Sequence, residues 1–141
     1  MNRNVNLNNR SIYDNLSFQN AIDDNKIKAI WCARGGYGAM RIIDNINYDN
    51  LLKNPKWVIG YSDITAIHND IHNLGVESLH GVMCKSLEDI SIDDYSINKL
   101  KDILFEEGEL KYIIEGNEYN IIGEASGKLV GGNLTLLQSL L

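Results

Sequence analysis

Ser62 is the side chain in this sequence whose surroundings suit a nucleophile. It sits in Gly60-Tyr61-Ser62-Asp63, between an apolar run, Trp57-Val58-Ile59, and a segment with Ile64, Ile67 and Ile71 at helical spacing. A strand entering a helix through that turn lifts the serine hydroxyl out of the sheet edge, toward backbone N–H groups of the first helical turn that have no partner within the helix. Such groups can hold a developing oxyanion. The plainer reading is that Ser62 or Asp63 is an ordinary N-cap.

A second stretch has the same form. Lys28 to Ala33 reads as a buried strand, and it runs into Arg34-Gly35-Gly36-Tyr37-Gly38 before a helical pattern through Met40, Ile42, Ile43 and Ile46. In a parallel sheet both turns fall at the carboxyl ends of the strands, the edge where open α/β sheets bind ligands. Glycines there let a backbone N–H approach a substrate oxygen closely. Arg34 has two readings, a fork for a substrate carboxylate or a brace paired with a nearby acid such as Asp63, and the brace is the preferred one. Cys32 is an alternative nucleophile, though a cysteine inside a strand is more often a small buried hydrophobe. His68 and His72 share a helix face, but no glutamate stands in the metalloprotease position, so they read as half-exposed helix histidines. His80, closing a third strand at 76–79, is the histidine expected near Ser62.

These motifs carry a resemblance. Ala33-Arg34-Gly35-Gly36-Tyr37-Gly38, Asn54-Pro55-Lys56, Ile59-Gly60-Tyr61-Ser62-Asp63-Ile64-Thr65, Leu79-His80-Gly81 and Gly131-Gly132-Asn133-Leu134 occur in the order seen in the LD-carboxypeptidase family, serine peptidases of murein tetrapeptide recycling and microcin immunity. The similarity runs from about Asp14 to the end of the sequence. It implies that Ser62 is the nucleophile, and that the N–H of Asp63 with one from Gly35 or Gly36 forms the oxyanion hole. Arg34, Tyr37 and His80 become candidate substrate contacts, a murein peptide the expected substrate, and a homodimer or self-association the expected assembly. No cofactor or metal is implied. The family places a triad glutamate and histidine well beyond the Gly-Gly-Asn-Leu motif, and an opening strand and helix before the matched region. The 141 residues therefore read as the middle of a longer enzyme, with little activity alone. Where the family has proline after histidine and glycine, Val82 stands here, which predicts a less rigid loop.

The competing function is a non-catalytic module that holds a nucleotide or other anion at the glycine-rich turn, but the turn matches neither the dinucleotide fingerprint nor the Walker A pattern. A net charge of −6 and a pI near 4.9 argue against a nucleic-acid partner. No apolar run is long enough to span a membrane, and the polar N-terminus has no signal-peptide core. Two cysteines suggest no disulfide framework. These features together predict a cytoplasmic protein.

The elements that must position the site follow from the pattern. Residues 1–107 are predicted as a partial α/β nucleophile domain, a parallel sheet flanked by helices, and 108–141 as a linker and the start of a second domain. Met1 to Asn9 is expected to be a loose tail. A helix is expected from Ser11 to Ile22, a short helical turn over Tyr48 to Leu52, and a longer helix through Ile97, Leu100, Ile103 and Leu104. Leu110 to Ile114 and Tyr119 to Ile122 are predicted as a hairpin, and Leu134 to Leu141 as a final helix.

Overall fold

The structure, a computed structural model, describes residues 16–89, 91, 94–106 and 110–141. The expected tail at Met1 to Asn9 and the first residues of the opening helix lie outside them. Three strands form one parallel sheet in the order β1-β2-β3: β1 (Ala29–Trp31), β2 (Trp57–Gly60) and β3 (Leu79–His80). Ile30 pairs with Val58 and Trp31 with Ile59, while Ile59 pairs with Leu79 and Gly60 with His80. The central strand is the apolar run of the sequence, and Val58 and Ile59 are buried, as expected of a parallel strand covered on both faces.

Helix α1 covers 16–23 and is fastened at its C-terminal end from an unexpected place. Lys56, 5% exposed, donates from Nζ to the carbonyls of Ala21 (3.0 Å), Ile22 (2.6 Å) and Asp24 (3.0 Å). An ammonium has three N–H donors, so all are spent on carbonyls at and just beyond the C-terminal end of the helix. Lys56 immediately precedes β2, and this contact ties α1 to the central strand. After β1 come α2 (Ala39–Ile42), a 3₁₀ turn (Ile43–Asn45) and α3 (Asp49–Lys53), the last matching the short helical turn expected before Pro55.

Behind β2, a 3₁₀ turn (Ser62–Ile64) leads into α4 (Thr65–Asn73). Ile64, Ala66, Ile67 and Ile71 of this segment pack with Ile22, Ala39, Leu51, Val58 and Met83 in the core. The helix ends in a Schellman motif: Gly75, at φ 79°, donates to His72 O at 2.9 Å and Val76 to Ile71 O at 3.1 Å. Val76 thus spends its N–H on the cap, so β3 starts at Leu79 instead of Val76.

A 3₁₀ turn (Cys84–Glu88) precedes α5 (Tyr95–Phe105), whose N-cap Asp94 accepts from Ser96 N–H at 2.7 Å. Beyond it the predicted hairpin is absent. Residues 110–133 hold neither helix nor strand; Asn117 and Asn120 close a local turn with Tyr119 N–H on Asn117 Oδ1. Ile113, Ile114, Ile121 and Ile122 are at least 87% exposed, so the runs find no surface to pack on, which an isolated two-stranded ribbon needs. The expected last helix is present as α6 (Leu134–Ser139) and contacts α4.

Candidate active site

Ser62 adopts φ 61°, the only positive φ at a non-glycine among the described residues. A left-handed residue between β2 and a 3₁₀ turn makes a sharp elbow, and for L-residues that conformation is strained by roughly 1–2 kcal/mol. Gly60 makes room for it. A Cβ there would lie 2.9 Å from Ile64 Cγ1 and 3.2 Å from Cys32 Cβ, so only glycine lets the elbow fold back over the strand end. The N-cap alternative fails: neither the 3₁₀ turn nor α4 has a side-chain cap, the cap positions being Tyr61 and Ile64.

The glycine turn after β1 lies directly against this elbow. A Cβ at Gly35 would stand 3.1 Å from Ser62 Cβ, 3.3 Å from Ser62 Oγ and 3.1 Å from Asp63 Oδ1. Two stretches distant in sequence therefore meet at the carboxyl edge of the sheet. Asp63 is buried, and its Oδ2 accepts from Ala39 N–H at 3.5 Å. Ser62 Oγ has no hydrogen bond among the described residues, so no base touches it here.

The loop after β3 runs back across the strand ends. Gly81 N–H reaches Gly60 O (3.1 Å), Cys84 N–H reaches Cys32 O (3.2 Å) and Lys85 N–H reaches Ala33 O (2.9 Å), while the Trp31 indole donates to Val82 O at 2.7 Å. These four bonds fix the loop, contrary to the looseness expected from valine in place of proline.

Each histidine has a different fate. His68 is 7% exposed, not half-exposed as expected from the sequence. Its Nε2 lies 2.9 Å from Gly60 O and its Nδ1 2.8 Å from Ser78 Oγ. A carbonyl can only accept, which sets the tautomer: Nε2 donates and Nδ1 accepts from the serine hydroxyl. Burial pulls its pKa below the ordinary 6.5, against the bond to Gly60, so the ring is neutral and fully engaged, a strut between β2 and the start of β3. The signal was present in the sequence, since His68 falls four residues after Ile64 on the apolar face. His80 is exposed at the end of β3, 6.5 Å from the Tyr61 ring and 5.9 Å from the His68 ring; His72 is exposed on α4.

Arg34 is exposed and makes no ion pair among the described residues, so the bracing partnership with Asp63 is not formed. Tyr37 projects from the turn at 86% exposure. The Cys32 thiol is pushed up to about 11, first by burial and then by the charge of Asp63, which keeps it protonated and poorly nucleophilic at neutral pH. No group of three or more His, Cys, Asp or Glu that could hold a metal ion occurs among the described residues.

Sequence reasoning missed a further contact. Thr65, wholly buried, receives Asn133 N–H on Oγ1 at 3.0 Å. Gly132, at φ 148°, lies so close that a Cβ would be 2.4 Å from Thr65 Cγ2. The second Gly-Gly motif is thus a docking surface for the helix that follows the elbow.

A strained serine at a strand-to-helix elbow, faced by a glycine turn on the same edge of a parallel sheet, has the geometry of a nucleophile elbow. Residues 15–81, just under half of the chain, match the model of the LD-carboxypeptidase N-terminal domain. The chain is 42% identical over 123 residues to a probable murein peptide carboxypeptidase of Bacillus subtilis, covering 84% of this chain and 38% of the relative. To the murein tetrapeptide carboxypeptidase of Pseudomonas aeruginosa it is 28% identical, over 84% of this chain and 41% of that one. A solved structure of a microcin C7 self-immunity protein MccF variant with adenosine monophosphate superposes with a TM-score of 0.70 at 22% identity, over 89% of this chain and 46% of that one; it shares the fold. The chain spans about two-fifths of the length of the curated relatives it matches.

Proposed function

We propose that this chain supplies the nucleophile and oxyanion site of a cytoplasmic serine carboxypeptidase that releases terminal D-alanine from murein tetrapeptides. The observation that carries the reading is Ser62 at φ 61°, packed against Gly35. In this reading Ser62 Oγ attacks the scissile carbonyl, and the carbonyl oxygen takes up charge against the N–H of Asp63 and one from Gly35 or Gly36. A histidine outside the 141 residues accepts the serine proton and returns it to the leaving amine, and a glutamate holds that histidine in the right tautomer. His68 is unsuited to the task, with both nitrogens committed. Arg34, exposed and without an ion pair among the described residues, suits the terminal carboxylate of the substrate, and Tyr37 and His80 flank the same edge.

The test is a chimera in which this chain replaces the segment it matches in the Bacillus subtilis relative, assayed for D-alanine release from murein tetrapeptide. The expected result is turnover that falls about 10³-fold or more on Ser62→Ala. A folded chimera that turns over equally well with alanine at 62 contradicts the reading.

A further inference from the structure

Asp63 contributes more to this region than a backbone N–H. Its side chain turns inward, 5% exposed, and caps neither its own 3₁₀ turn nor α4. Instead it reaches the other loop. Oδ2 accepts the Ala39 N–H at 3.5 Å, and Oδ1 has no hydrogen-bond partner among the described residues. Both oxygens lie along the glycine turn, since a Cβ at Gly35 would be 3.1 Å from Oδ1 and one at Gly36 3.9 Å from Oδ2. A buried acceptor left unpaired is unfavourable and calls for an explanation.

The explanation lies in what the turn needs. Glycine-rich backbone is intrinsically free, whereas oxyanion donors act only if they are fixed before the reaction. On one side the turn is tied by Lys85 N–H on Ala33 O. On the other it is tied by Ala39 N–H on Asp63. We propose that the Asp63 carboxylate is a positioning residue that clamps the Gly35-Gly36 turn against Ser62, so that one side chain registers both halves of the oxyanion hole. The clamp works through shape and an acceptor for Ala39, and charge is secondary to it. The inference rests on the serine-peptidase reading, and it can fail separately from that reading.

The experiment uses the 141-residue chain and (1-aminoethyl)boronic acid in its L-alanine-like configuration, whose trigonal boron stands in for the scissile carbonyl carbon of the L-configured residue before the terminal D-alanine and needs no general base to react. Ser62 Oγ bonds to boron, its proton leaves to solvent, and the tetrahedral anion places an oxygen in the oxyanion position. Boron-11 NMR reads the adduct, and thermal melts read folding. The parent chain is expected to form the adduct and Ser62→Ala to form none. Asp63→Ala is expected to weaken it at least about tenfold at a temperature where the variant is folded, and Asp63→Asn, which keeps the acceptor, to bind within roughly threefold of the parent. Asp63→Ser, whose hydroxyl stops short of Ala39, serves if the alanine variant does not fold, with the same tenfold loss expected. Parental affinity in the Asp63→Ala or Asp63→Ser variant, or a tenfold loss in Asp63→Asn, overturns the clamp while leaving Ser62 as nucleophile. No adduct in the parent, or an adduct that survives Ser62→Ala, overturns the serine reading and the clamp with it.

Discussion

Ser62 holds a backbone conformation that glycine would adopt without strain, and retaining serine there is understandable only through its hydroxyl. Ser62→Gly is therefore expected to match or exceed the parent in stability, by up to ~1 kcal/mol in urea unfolding, with activity abolished. A loss of stability would show that the left-handed conformation is not strained. Gly35→Ala is the converse case. The added Cβ would press on Ser62 and Asp63 at 3.1 Å, so the two loops must part by a few tenths of an ångström, and an activity loss of about 10²-fold is expected with a stability change near 1 kcal/mol. At this scale the sequence was informative, because chemical identity and order were enough to pick out Ser62 and the glycine turn. It was uninformative about Asp63 and Arg34, whose partners depend on how two distant loops pack. The ion pair expected between them is not formed, and the carboxylate faces glycine backbone instead.

Among the elements, strands and helices were legible wherever apolar period alone decides them, as at Trp57–Gly60 and Tyr95–Phe105. They were less so where a cap or a missing surface decides. The Schellman cap delays β3, and the hydrophobic runs after Glu109 lack a face to cover them. Lys56 and His68 show how a polar residue on an element can act as tertiary glue. Removing the Lys56 ammonium with Lys56→Met takes away three hydrogen bonds and strands the Ala21 carbonyl, while Ile22 O keeps Asn50 Nδ2 and Asp24 O keeps Ile27 N–H, and a loss of about 1–3 kcal/mol is expected by chemical denaturation. His68 gives a pH dependence of definite sign. Its folded pKa lies below the ordinary 6.5, so the unfolded chain binds more protons there, and the contribution of the neutral strut is complete above pH 6.5 and fades as pH falls below it. Asp70, raised above 3.8 chiefly by burial, has the opposite sign at lower pH. Melts of the parent and of His68→Gln, compared between pH 7.5 and 5, separate the two, and the stability difference between them is expected to shrink toward acid. A difference that stays constant with pH would rule out titration of His68.

Across the whole molecule the site is tied to the last helix. Asn133 hydrogen-bonds Thr65, Gly132 touches the same side chain, and Leu140 packs on the core. Gly132→Ala is expected to undock α6, seen as faster amide exchange over Leu134–Ser139 with α5 unaffected. Unchanged exchange would show that the Gly132–Thr65 contact does not hold α6. Ile113, Ile114, Ile121, Ile122 and Leu129 are left exposed, and large apolar side chains open to water favour association. Light scattering over a concentration series is therefore expected to reveal self-association, and a monomer at every concentration would contradict it. Self-association and the final helix were expected from the sequence, but the contact with Thr65 was not legible there, since Gly131-Gly132-Asn133 reads as a turn with no partner in view. The most direct measurement of the central claim, that Ser62 is the nucleophile, is to map the adduct formed by a fluorophosphonate in the active chimera by peptide mass spectrometry. The expected result is phosphonylation confined to the peptide carrying Ser62 and lost in Ser62→Ala. An active chimera inactivated by phosphonylation at any other residue would contradict it.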